Sequence, residues 1–128
     1  MIKGIGTDIL EISRFKKLHS NWGEKLINRI FNPEEVSPYS SHKRLIENLA
    51  GKFAAKEAIS KAFGSGIGGS ISFKDISIVK DKKGKPIASI KKQKLGNKIH
   101  LSITHSDQYA VAFAVLEEVW IIQFLGKL

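Results

Sequence analysis

The chain contains no cysteine. That excludes a disulfide framework and thiolate chemistry, and it agrees with a reducing compartment. No apolar run approaches the ~20 residues needed to cross a bilayer. The opening Met1-Ile2-Lys3-Gly4-Ile5-Gly6-Thr7-Asp8 is too short and polar for a signal peptide, so a cytoplasmic protein without membrane partners is expected. There is no internal repeat, heptad or low-complexity stretch, and no Cys/His cluster with zinc spacing. Acidic residues are in short supply: 12 Asp and Glu face 21 Lys and Arg, a net charge of +9. Such a balance implies an anionic partner, whether nucleic acid, a phosphorylated ligand or an acidic protein. No helix-turn-helix, RNP or zinc signature accompanies the charge, which argues against nucleic acid. Lys80, Lys82, Lys83, Lys85, Lys91, Lys92, Lys94 and Lys98 crowd the second half, several of them as a solvated face.

What is present describes one globular domain, residues 1–128, with 42% hydrophobic and 26% charged residues. Residues 2–6 read as a short strand whose Gly4 and Gly6 permit close backbone approach. Ile12, Phe15 and Leu18 recur at three-residue spacing and predict a helix from Ile9 to Leu18, and a second helix follows over Asn21 to Ile30. Asn32-Pro33-Glu34-Glu35 has the order of a helix start, with Asn as N-cap, Pro at N1 and Glu at N3. A long helix is predicted from about Ser41 to Phe63, closed by Gly64. Beyond the glycine-rich loop of residues 64–70 the period changes to strands near 71–78, 86–90, 98–104 and 109–116. The expected class is α+β: a short N-terminal strand, helices including one long central helix, then an antiparallel sheet. Residues 119–128 form an apolar C-terminal extension, suited to covering the sheet or lining a subunit interface.

The long helix carries the sharpest signal. At about 100° per residue, Ile46, Leu49, Ala50, Phe53 and Ala54 form one apolar arc, with Glu57 near its middle and Lys61 one turn on. A carboxylate aimed at a core costs several kcal/mol unless a cation, a metal or hydrogen bonds compensate. The plainer alternative is a surface i,i+4 pair. Asp8, where the glycine-spaced strand meets a helix start, is either an N-cap or a second carboxylate converging with Glu57 on one cation. One or two carboxylates completed by waters and phosphates is the set Mg²⁺ prefers. Lys61 either holds a phosphate or snorkels at a helix end. His105 either binds a phosphate or caps a turn, and Ser106-Asp107 beside it reads as local turn chemistry.

Taken in order, Gly4-Ile5-Gly6-Thr7-Asp8-Ile9-Leu10-Glu11-Ile12-Ser13-Arg14 and Phe53-Ala54-Ala55-Lys56-Glu57-Ala58-Ile59-Ser60-Lys61 resemble the holo-[acyl-carrier-protein] synthase family. The resemblance runs on through Gly64-Ser65-Gly66-Ile67, Asp75-Ile76, Gly84-Lys85-Pro86 and Ser102-Ile103-Thr104-His105-Ser106 to Tyr109-Ala110. It implies a small phosphopantetheinyl transferase, in which Asp8 and Glu57 ligate Mg²⁺ at the pyrophosphate of coenzyme A. It implies transfer of 4′-phosphopantetheine to a serine of apo acyl carrier protein for fatty acid biosynthesis, with release of 3′,5′-ADP. Lys61 would stabilise the leaving phosphate, and Glu57, directly or through a metal-bound water, would take the serine proton. By the same resemblance Lys52, His105 and Ser106 lie near the nucleotide, and Gly64, Gly66 and Pro86 line its pocket. Arg14, a carrier-contact position of the family, forms with Lys17, Lys25 and Arg29 a basic patch for an acidic carrier protein. The family is typically a homotrimer with each active site between two subunits. Lys52 stands where the family commonly has Arg, which forfeits bidentate phosphate geometry.

Overall fold

A computed structural model describes residues 1–91 and 95–119; the apolar stretch expected over 119–128 lies outside them except for Val119. The described architecture is α+β, with strand β1 (Ile2–Glu11), helices α1 (Ile12–Trp22), α2 (Glu24–Ile30) and α3 (His42–Ala62), then β2 (Ile76–Lys80), β3 (Pro86–Ile90), β4 (Asn97–His105) and β5 (Tyr109–Glu118). Two 3₁₀ turns, Pro33–Glu35 and Phe73–Asp75, punctuate the connections. The strands form an antiparallel sheet in the order β1-β5-β4 and a separate β2-β3 hairpin. No helix among the described residues is long and apolar enough to cross a membrane.

Several boundaries differ from the sequence reading. The strand expected near 71–78 starts only at Ile76, because Ser72 and Asp75 cap a 3₁₀ turn over Phe73–Asp75. The second helix starts at Glu24, after α1 has run on to Trp22 and Gly23 has broken the helix at φ +54°. β1 continues to Glu11 because its backbone pairs with β5 as far as Glu11↔Tyr109, and Ile9 pairs with Val111 inside that ladder. Asp8 is therefore a mid-strand residue. α1 starts at Ile12 with Glu11 as its N-cap, which removes the capping role considered for Asp8. The three-residue apolar spacing begins where the helix does, with Ile12 and Phe15 buried and Ile9 exposed on the outer sheet face. The Asn32-Pro33 start is as expected, with a capping box between Asn32 and Glu35. Ser41 caps α3 by accepting from the Arg44 N–H at 3.2 Å, and the helix stops before Gly64, whose φ of +82° suits the left-handed region.

α3 is the organising element. It lies across the inner face of the three-stranded sheet, and its small side chains let the two surfaces come close. Ala54, Ala58 and Ala62 pack with Ile59, Ala112, Ala114 and Leu116, and also meet Ile76 and Ile78 of the hairpin. Its N-terminal half joins Ile46 and Leu49 to Ile12, Phe15, Ile27, Ile30 and Phe31. The approach is closest at β1. A Cβ on Gly4 would stand 1.9 Å from the Ala62 carbonyl oxygen, and one on Gly6 would stand 1.9 Å from that of Ala58. Backbone on both sides leaves nothing to rotate away. Gly6→Ala is therefore expected to force β1 off α3, lowering stability by about 2 kcal/mol or more and moving Asp8 with the strand. Urea unfolding checks it, and a loss under about 0.5 kcal/mol would contradict so tight a contact.

One buried charge pair was not legible beforehand. Lys56 and Glu35 both have fully buried side chains and meet at 2.7 Å. Lys56 Nζ also donates to the carbonyls of Ile30 (2.7 Å) and Phe73 (2.9 Å) and sits 5.2 Å from the Phe31 ring centroid. Burial holds its amine below the ordinary lysine range, opposed by the Glu35 hydrogen bond and charge. Glu35 accepts further bonds from the Asn32 N–H at 2.8 Å and the Ile78 N–H at 3.0 Å. This pair ties both 3₁₀ turns and β2 to α3.

Candidate active site

The glycine contacts determine where Asp8 falls. Gly4, Gly6 and Asp8 share one face of β1 because strand side chains alternate, so Asp8 arrives over the last turns of α3. There Lys61 Nζ meets Asp8 Oδ1 at 3.1 Å and donates to the Thr7 carbonyl at 3.0 Å. Glu57, one turn before Lys61, is half-buried. Its carboxyl is held above the ordinary range, first by burial and then by the Asp8 charge, with Lys61 opposing. Two carboxylates thus share one lysine, leaving a net negative charge at the β1–α3 contact. Among the described residues no group of three or more His, Asp or Glu could hold a metal. A two-carboxylate site is suited to a hard cation that draws its other ligands from water and phosphate, and these residues fit Mg²⁺. Asp8 is largely covered at 18% exposure, whereas Lys61 is half exposed at 52% and free to reach a ligand.

A cleft of about 680 Å³ opens beside the other half of α3, a size usual for small-molecule sites. Lys43, Arg44, Lys52, Lys80 and His105 line it, together with Ile78, Pro86 and Ile103. Glu47 and Asp107 are its carboxylates, and His105 Nδ1 lies 3.4 Å from Glu47. Lys52 is buried and its amine donates to the Glu35 carbonyl; burial lowers its proton affinity. Ser106 is on the rim-side turn between β4 and β5, where its hydroxyl accepts from the Gln108 and Tyr109 N–H groups at 3.3 and 3.2 Å. Gly64 and Gly66 lie in the loop after α3 with φ of +82° and +67°, and neither is among the described residues lining the cleft. Arg14 and Lys17 are exposed on α1, as are Lys25 and Arg29 on α2. Lys43 and Arg44, on the first turn of α3, were not singled out from the sequence, and Lys80, at the end of β2, was read there only as one of a lysine-rich stretch; the fold brings the two elements to one cleft.

The cleft and the carboxylates lie at opposite edges of the sheet. Gly51 packs against Ile103 of β4, where an added Cβ would stand 3.0 Å from Ile103 Cγ2, whereas Ala58 and Ala62 meet β1, the strand at the other edge. From Asn48 to Glu57 the helix also makes about two and a half turns, which sets the two residues on opposed sides.

With this geometry in view, the chain's relatives can be placed. Residues 4–114 match the family model of the 4′-phosphopantetheinyl transferase superfamily. The holo-[acyl-carrier-protein] synthase of Staphylococcus haemolyticus is 44% identical over 121 residues, covering 92% of this chain and 98% of its own. That of Bacillus cytotoxicus is 48% identical over 119 residues, covering 91% and 97%. Among solved structures, the Bacillus anthracis synthase in complex with CoA (3′,5′-ADP) superposes with a TM-score of 0.82 at 45% identity, over 92% of this chain and 98% of that one. The Helicobacter pylori synthase in complex with coenzyme A gives 0.79 at 34% identity, over 88% and 99%. The chain belongs to the 4′-phosphopantetheinyl transferase superfamily. Within it the chain falls in the holo-[acyl-carrier-protein] synthase family, and it is a phosphopantetheinyl transferase.

Proposed function

We propose that the protein moves 4′-phosphopantetheine from coenzyme A to a serine hydroxyl of an apo acyl carrier protein, in a Mg²⁺-dependent reaction that releases 3′,5′-ADP. The observation that carries this reading is the convergence of Asp8, Glu57 and Lys61 where β1 meets α3. Asp8 and Glu57 are the residues that would hold Mg²⁺, which supplies neutralisation of the charge on a bound pyrophosphate. Lys61 neutralises Asp8 in the free protein and, being half exposed, turns to the phosphate oxygen on which charge develops. The serine oxygen forms a bond to the phosphorus carrying the pantetheine arm, and the bond from that phosphorus to the bridging oxygen breaks. The electron pair leaves with 3′,5′-ADP. Glu57, directly or through a bound water, would accept the serine proton.

The cleft is the seat of the nucleotide end, with Lys43, Arg44, Lys52 and His105 as its cations and Pro86 in its wall. Ser106 sits in the turn next to His105, whereas Gly64 and Gly66 follow Lys61 in the loop after α3, at the carboxylate end. Because the cleft and the carboxylates occupy opposite sheet edges, one subunit would complete the site of the next. The outer sheet face supports such an assembly: Ile5, Ile9 and Phe113 are 64%, 63% and 43% exposed there, an apolar patch of the kind that marks an interface. A homotrimer working in the cytoplasm, serving fatty acid biosynthesis, is the assembly we assign.

An acidic carrier would dock on Arg14, Lys17, Lys25 and Arg29. Arg14→Glu is expected to raise the carrier concentration needed for half-maximal rate roughly 10-fold at low salt, with the effect shrinking as salt is added. Coenzyme A binding should be unchanged, and equal weakening of both would refute a carrier-specific role. The reaction itself is tested by chromatography of 3′,5′-ADP in mixtures with and without apo carrier. Release that requires the carrier, mole for mole, supports transfer; equal release without it would indicate hydrolysis of coenzyme A.

A further inference from the structure

We infer that Asn48 reads the base of the donor nucleotide, pairing its side-chain amide with the amine and adjacent ring nitrogen of adenine. The inference rests on the reading of the cleft as the nucleotide seat. Asn48 lines that cleft from α3, one turn before Lys52. Its Oδ1 is the one buried side-chain polar atom among the described residues without a hydrogen-bond partner. An amide oxygen kept from water with no donor is destabilising, and native folds retain few such groups without a reason. The residue is half-buried, and the terminal torsion of an asparagine is broad. The amide can therefore turn to present an acceptor and two donors side by side at the cleft wall.

Adenine is the base whose edge complements that pair, since its N6 amine donates while N7 accepts, and asparagine meets both at once. Guanine and hypoxanthine place a carbonyl oxygen where adenine has the amine. Two acceptors then face the amide, and Oδ1 is left against an oxygen. The surroundings suit a planar purine, with Ile78, Pro86 and Ile103 as apolar walls and the Tyr39 ring beside them. Lys43 and Arg44, less than two turns up the same helix, are placed for the phosphates.

The probes are 3′,5′-ADP and its inosine counterpart, titrated calorimetrically into the wild-type protein and into Asn48→Leu. The wild type should prefer the adenine nucleotide by roughly 10-fold or more. Asn48→Leu, similar in shape, should still bind 3′,5′-ADP, more weakly, with the preference cut to within about 3-fold. Its melting temperature should equal or exceed that of the wild type, because an unpartnered buried acceptor is gone. A folded Leu variant that keeps the full preference overturns the assignment, as does a wild type that binds both nucleotides equally. If the wild type binds neither, the nucleotide reading of the cleft falls and this inference with it.

Discussion

Glu57→Gln is expected to reduce Mg²⁺-dependent transfer by at least ~10²-fold, since a neutral amide is a poor ligand for a hard cation and cannot take a proton. The same substitution should not destabilise the metal-free protein at neutral pH. The carboxyl of Glu57 is held above its ordinary range by burial and by Asp8, so the folded protein binds that proton more tightly than the unfolded chain does. As pH rises from the ordinary carboxylate value through the raised one, the wild type loses this stabilising preference, and the cost is complete above it. Glutamine does not titrate, so Glu57→Gln escapes the loss. Thermal melts between about pH 4 and 8 should show the wild-type advantage disappearing or reversing on the alkaline side. Mg²⁺ should raise the melting temperature of the wild type at neutral pH, less so as acid protonates Glu57, and should leave that of Glu57→Gln unmoved. Near-normal transfer by the variant would remove Glu57 from the mechanism. Lost transfer with an unchanged Mg²⁺ response would leave it a proton acceptor only.

The largest stability effect is expected at Glu35→Ala, about 3–5 kcal/mol. The substitution leaves the Lys56 amine buried with two carbonyls and no counter-charge, and it strips acceptors from the Asn32 and Ile78 N–H groups. Replacing both partners with apolar residues, Glu35→Leu with Lys56→Met, should recover much of that loss, because desolvating an ion pair offsets most of its attraction. Urea unfolding of the two single variants and the pair measures the coupling. A Glu35→Ala loss below about 1 kcal/mol would mean that the pair is solvated and relaxes freely.

The residues of the proposed chemistry were more legible than the local structure around them. Asp8, Glu57 and Lys61 stood out as an ordered set even though the strand end and the capping role first considered for Asp8 were misplaced. Pairing with β5 carried β1 on to Glu11, and no local pattern encodes a partner a hundred residues away. Glu57 falls near the middle of the apolar arc of α3 at about 100° per residue, yet it is only half-buried. Lys56 lies about 100° round from it, just past the arc's edge. It faces inward because α3 is covered on that side as well, with Lys52, Ala55 and Ile59 also buried; the apolar spacing alone did not mark it. Lys52, one turn before Lys56, shares that inward phase, which is why its amine meets the Glu35 carbonyl. Asn48 carried no signal at all. A single polar residue on a helix becomes informative only when the fold closes a cleft around it and gives its oxygen no donor.

The most direct measurement of the central claim is the intact mass of an apo acyl carrier protein after incubation with this protein, coenzyme A and Mg²⁺. The account predicts a gain of one phosphopantetheine arm on a single serine, abolished by EDTA and restored by excess Mg²⁺. An unmodified carrier under conditions where coenzyme A binds, or a gain of the same size in EDTA, would contradict it.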